Sequence, residues 1–140
     1  MEPQKLMFTV PGKPVGKGRP RFVRSTGRTY TDKNTASYEN LVRMAFTEAY
    51  PDWVPAAGAV ELHIWITFAV PASWSKKKQA AALNGEIRMT SKPDIDNIEK
   101  SICDGLNTVA WKDDSQIDTK FSCKKYGNQS EVRVTMIIRE

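Results

Sequence analysis

One histidine, two cysteines and no run approaching the roughly twenty apolar residues of a membrane span narrow the possibilities before any motif is read. A single histidine, His63, excludes histidine-rich zinc chemistry. It sits on the polar side of an alternating stretch with no matching nucleophile signature, and reads as structural. Cys103 and Cys123 both lie within apolar patterns. Two such thiols are too few for a metal site, and they read as small buried side chains in a reducing compartment rather than as a disulfide. No apolar N-terminal stretch resembles a signal peptide. The chain is expected in the cytoplasm, away from any membrane.

What the chain does have is an uneven charge. Its 21 Lys and Arg outnumber 16 Asp and Glu. Residues 1–33 hold eight of the bases and two of the acids, so the whole positive excess lies in the first quarter. Such a concentration points to a polyanionic partner, most simply nucleic acid. The acids gather elsewhere: Asp94, Asp96, Glu99, Asp104, Asp113, Asp114 and Asp118 fall within 25 residues that contain only Lys100 and Lys112 as bases.

At 140 residues the chain fits one domain, expected to span 1–140. Lys5–Val10 reads as a short strand, followed by a basic Gly/Pro-rich loop from Pro11 to about Thr31. Tyr38, Leu41, Val42, Ala45, Phe46 and Ala49 recur at helical spacing between Thr35 and Tyr50. Val60 to Phe68 alternates as a half-buried strand. "SWSKKKQAAALNG" reads as a short helix capped by Ser73 or Ser75, with Gly85 beyond its end and its lysines as a solvated face. A second amphipathic helix is expected to start near Asp96, with Ile95, Ile98, Ile102, Leu106 and Val109 on its apolar face. Asp96, Lys100 and Asp104 lie away from that face at i, i+4 and i+8. Two alternating stretches around Gly127-Asn128 predict a C-terminal hairpin. The order implies an α+β fold with a mixed or antiparallel sheet packed by helices.

Three local readings compete with chemistry. "PGKPVGKGRPRF" fails as a phosphate loop, because Gly12 to Gly16 encloses three residues and Gly18 stands where a Ser or Thr is needed. It reads better as an electropositive loop offering Lys13, Lys17, Arg19 and Arg21 to DNA phosphates. Asp96-x-x-Glu99 has the form of a capping box, worth about 1 kcal/mol, but one cap leaves Asp94 and the Asp113-Asp114 pair unexplained. An EF-hand starting at Asp94 fails, with Glu99 at its required glycine and Gly105 at its closing glutamate. What remains is a carboxylate cluster from two segments, whose hard oxygens suit magnesium or manganese and phosphodiester chemistry.

With these residues assembled, the chain resembles the RusA-type Holliday junction resolvases. "KPDIDNIEKSICDGLN" and "WKDDSQI" are similar to the family's two acidic motifs, and "GKGRPRF" and "PASWSKKK" also match family features. The resemblance implies a structure-selective endodeoxyribonuclease acting in recombination and repair in a bacterial or phage-infected cell. It would require Mg2+, with Mn2+ as a substitute, and act as a homodimer on four-way junctions. Residue by residue, it assigns the catalytic and metal-binding carboxylates to Asp94, Asp96 and Asp114, with Asp113 a further candidate ligand, and the assisting lysine to Lys100. Two alternatives stand beside it: another metal-dependent nuclease on the same scaffold, and a non-catalytic DNA-binding module.

Overall fold

The structure, a computed structural model, describes residues 2–18, 21–30 and 32–140. Leu6, Phe8 and Val10 alternate with exposed neighbours along β1 (Gln4–Pro11), so one face of this strand is buried. The basic segment that follows, expected to be wholly loop, contains a small antiparallel pair, β2 (Arg21–Val23) and β3 (Arg28–Tyr30). Strands of three residues are too short to leave an alternation in the sequence.

Helix α1 (Lys33–Ala49) begins at an N-cap, Asp32, whose side chain accepts a hydrogen bond from the Thr35 N–H. It buries Tyr38, Val42 and Phe46. After β4 (Ala59–Ala69), α2 (Lys76–Leu83) is capped by Ser75, and Gly85 beyond it takes a positive φ of 83° that glycine adopts without strain. Helix α3 (Ile95–Leu106) buries Ile98, Ile102 and Leu106 at 3.6-residue spacing. A 3-10 turn (Asp114–Gln116) then leads into β5 (Ile117–Gly127), and β6 (Glu131–Arg139) closes the chain.

The main sheet runs β1-β6-β4-β5, with β6 antiparallel to both β1 and β4 and β5 parallel to β4. The fold is therefore α+β with a mixed sheet, as expected. The C-terminal hairpin is not formed. Gly127-Asn128 turns the chain, but β6 enters on the far side of β4. The crossing is tied to the end of β4 by Val70 N–H to Gly127 O (3.1 Å) and Ala69 N–H to Ser130 Oγ (2.8 Å). The burial of the two strands explains the order. β6 buries Val132, Val134, Met136 and Ile138 and takes an inner position, whereas β5 buries no residue fully and forms an edge.

The inward residues of β1, β4 and β6 share one core cluster with the buried residues of α1 and α3, so the helices cover one face of the sheet. The two helices approach closely at Gly105. A Cβ there would lie 2.8 Å from the Glu39 carbonyl oxygen and 2.9 Å from Val42 Cβ. This contact fixes the tilt of α3 and hence the direction of its polar face. Gly105→Ala should destabilise the fold by about 1–3 kcal/mol through overpacking, read as a lowered urea midpoint. An unchanged midpoint would mean that the helices separate freely there.

Candidate active site

Helix α3 builds the site. Its N-cap is Asp94 rather than Asp96, and the Asp94 carboxylate makes no capping hydrogen bond. The Asp96–Glu99 capping box is thus not formed. Glu99 turns instead to β5, accepting a short hydrogen bond from Ser122 Oγ and pairing with Lys120 at 3.4 Å. Asp96, in the first turn, and Lys100, one turn on, make no hydrogen bond or ion pair among the described residues. At 100° per residue Asp96, Lys100, Cys103 and Asp104 point to one side of the helix. The opposite side is the buried seam of Ile98, Ile102 and Leu106.

The adjacent acids of the second segment diverge. The Asp113 side chain caps the 3-10 turn, accepting from the Ser115 N–H at 3.0 Å while the Gln116 side chain accepts from the Asp113 N–H at 2.8 Å. Asp114 points the other way, and its Oδ1 accepts a 2.7 Å hydrogen bond from Trp111 Nε1–H. Trp111 is fully buried, so this carboxylate is held by the core itself. Burial raises the Asp114 pKa, the Trp111 hydrogen bond opposes the rise, and the charges of Asp104 and Asp113 add to it. Hydrogen bonds from Ser115 lower that of Asp113.

Asp114 faces a cleft of about 350 Å³ shared with Glu99, Lys100, Cys103, Asp104 and Lys120. Burial pushes the Cys103 thiol up to about 12, so it is no nucleophile there. Asp94 opens on a neighbouring cleft of about 380 Å³ with Lys13, Lys17, Lys92 and Asn97. The structure thus brings Lys100 and Asp114 together, places Asp94 next door, and sets Asp96 on the helix face between Asp94 and Lys100. In kind the donors suit a hard divalent cation, being carboxylates with free oxygens. As they stand, no three acidic, histidine or cysteine side chains among the described residues converge closely enough to hold one. His63 lies outside this cleft, hydrogen-bonded to Glu61 at 2.7 Å and packed on Trp65 and Phe121.

The basic loop is sewn to the same helix and to the start of α1. Lys17 N–H donates to Asn97 O at 2.8 Å, Ser101 Oγ donates to Val15 O at 2.7 Å, and Gly18 N–H donates to Thr35 Oγ1 at 2.9 Å. The Lys17 ammonium, expected to meet DNA, lies 2.9 Å from both Glu39 and Asp104. Burial pulls its pKa down, but the hydrogen bonds to Asp104 and Glu39 outweigh that and raise it overall. Lys13 is exposed and lines the Asp94 cleft. Arg21 is the first residue of β2, and Arg19 lies outside the described residues.

Two contributors were not assigned from sequence. Asp104 carried a readable signal, since it continues the Asp96–Lys100 spacing. Lys120 carried none, because only the pairing of β5 with β4 brings it to α3.

The sequence model of the family described as Endodeoxyribonuclease RusA matches residues 11–139. The chain is also 36% identical over 140 residues, covering 96% of each chain, to a protein of Bacillus subtilis (strain 168) described as "Uncharacterized protein YqaN".

The opposite environments of the two adjacent aspartates make a direct prediction. By carboxyl-carbon NMR, Asp114 should hold its proton to higher pH than Asp113. Asp113, with a lowered value, should contribute stability that is present above the ordinary carboxylate range near ~3.9 and lost as pH falls through its own pKa. Asp114, with a raised value, should act oppositely, lowering stability as pH rises through its pKa. Coincident or reversed titrations would contradict these surroundings.

Proposed function

Because the chain belongs to the RusA endodeoxyribonuclease family, we propose that it resolves four-way DNA junctions by hydrolysing one phosphodiester bond in each of two opposed strands. Water adds its oxygen to phosphorus and gives up a proton to solvent or a nearby base, while the bond to the 3′-oxygen breaks and that oxygen takes up a proton to leave as a hydroxyl. The observation that carries the reading is the juxtaposition of Lys100, Asp104 and Asp114 in one cleft, with a basic loop fastened along the same helix.

In this reading Asp94, Asp96 and Asp114, which stand too far apart here to share a cation, would draw together around Mg2+ or Mn2+, with Asp113 the weaker candidate because its carboxylate is spent on the 3-10 turn. When bound, such a cation would polarise the phosphate and lower the pKa of a coordinated water. The protein's own part is positional and electrostatic. Trp111 orients Asp114, and the buried seam of α3 orients Asp94 and Asp96 at its start. Lys100, which has no ion pair among the described residues, offers a positive charge where the phosphate gains negative charge in the transition state. Lys13, Arg19 and Arg21 would contact flanking phosphates, a sequence-independent grip that weakens with salt. Lys17, held by Glu39 and Asp104, would act chiefly by keeping the loop against α3. Two copies would be needed to cut opposed strands, and the whole 140-residue chain would serve as one catalytic domain.

The test is a four-way junction with a mobile core, incubated with and without Mg2+ and mapped at nucleotide resolution. Symmetric paired cuts only with Mg2+, absent on linear duplex, are expected. Tight junction binding without cutting would instead favour a DNA-binding module, and equal cutting of flaps a broader nuclease. On pre-bound junction, Lys100→Ala should slow single-turnover cutting by a factor on the order of 10^2 or more with little loss of affinity. An unchanged rate would remove Lys100 from the site.

A further inference from the structure

Beside the Asp94 cleft runs a second groove, of about 540 Å³, between the loop Pro14–Gly16, the outer face of α1 and Pro93. Its walls are apolar, from Pro14, Val15, Leu41 and Pro93. Its rim carries the ammonium of Lys13, the amide of Asn34 and the hydroxyl of Ser37, none of which has a partner among the described residues, and no acid lines it. Tyr38 lies beneath, its hydroxyl buried with no partner among the described residues, a rare state for a native polar group. The groove shares Lys13, Gly16 and Pro93 with the Asp94 cleft. Gly16 packs so tightly that an added Cβ would lie 2.8 Å from Pro93 Cβ, so the dividing wall is firm.

Resting on the junction-nuclease reading, we propose that this groove holds one unstacked base of the strand whose phosphate lies at Asp94, and so biases where the enzyme cuts. The chemistry matches a nucleotide in each part. Apolar walls of proline, valine and leucine take the faces of a base by van der Waals contact. An amide that both donates and accepts, beside a hydroxyl, reads a base edge. An unpaired ammonium meets the adjoining phosphate. Stacked duplex bases cannot enter, whereas bases at a branch point can be splayed out.

The experiment uses the full chain bound, without divalent metal, to a four-way junction carrying 5-iododeoxyuridine at each position flanking the crossover in turn. Irradiation should crosslink one such position to a peptide from Lys13–Gly16 or Asn34–Leu41, identified by mass spectrometry. Asn34→Ala with Ser37→Ala, both exposed helix positions, should reduce that crosslink by a factor on the order of five or more and flatten the distribution of cut positions. Crosslinks confined to other peptides at every position, with cutting intact, would overturn the subsite and leave the nuclease standing. Crosslinks in the groove from a protein that cuts nothing in Mg2+ would overturn the nuclease and leave the base site.

Discussion

The buried seam of Ile98, Ile102 and Leu106, each with 0% of its surface exposed, is the constraint on which the rest depends. Burying three such side chains stabilises the fold by roughly 1.5–3 kcal/mol each, and it leaves α3 one rotational setting. The direction of its exposed side is fixed with it. Asp96, Lys100 and Asp104 follow one another along the exposed side. Gly105 lets α1 approach closely enough to lock that setting, and Arg43 Nε–H donates to its carbonyl at 3.2 Å.

Electrostatics then join two parts of the chain that composition keeps apart. The positive N-terminal quarter and the acidic segment around α3 meet where Lys17 lies 2.9 Å from both Glu39 and Asp104. A cleft crowded with carboxylates repels a polyanion, and a lysine anchored by two of them reduces that repulsion while holding further bases nearby. Lys124 adds to this by donating to the carbonyls of Ser91 and Pro93, which steadies the segment leading into Asp94. On the other wall, Asp114 is bound to an indole buried in the core, so one acid of the cleft is set by packing rather than by solvent.

Much of this was legible in the sequence because it is periodic. The spacing of Ile98, Ile102 and Leu106 marks both the helix and its buried side, and Lys100 and Asp104 follow from the same period. What was misread was locally ambiguous or non-local. Asp94 and Asp96 are equally good caps by composition, and only the backbone shows that Asp94 takes the position without its carboxylate making the capping hydrogen bond. Gly127-Asn128 is a strong hairpin signal, yet the more apolar β6 is drawn to the inside of the sheet and the turn carries it past β4. Lys17 looks like any loop lysine until α1 and α3 are folded beside it. The unlike environments of Asp113 and Asp114 depend on Trp111 lying in the core, which adjacency in sequence cannot convey.

Under the proposed reading, the acid held by Trp111, and not the neighbour that caps the 3-10 turn, works in the cleft. Asp114→Asn and Asp113→Asn each keep shape and remove one charge, so single-turnover cleavage of a bound junction in Mg2+ compares them directly. Asp114→Asn is expected to abolish cutting while junction affinity holds or rises, and Asp113→Asn to retain most of the rate. Near-normal cutting by Asp114→Asn beside a dead Asp113→Asn would contradict it.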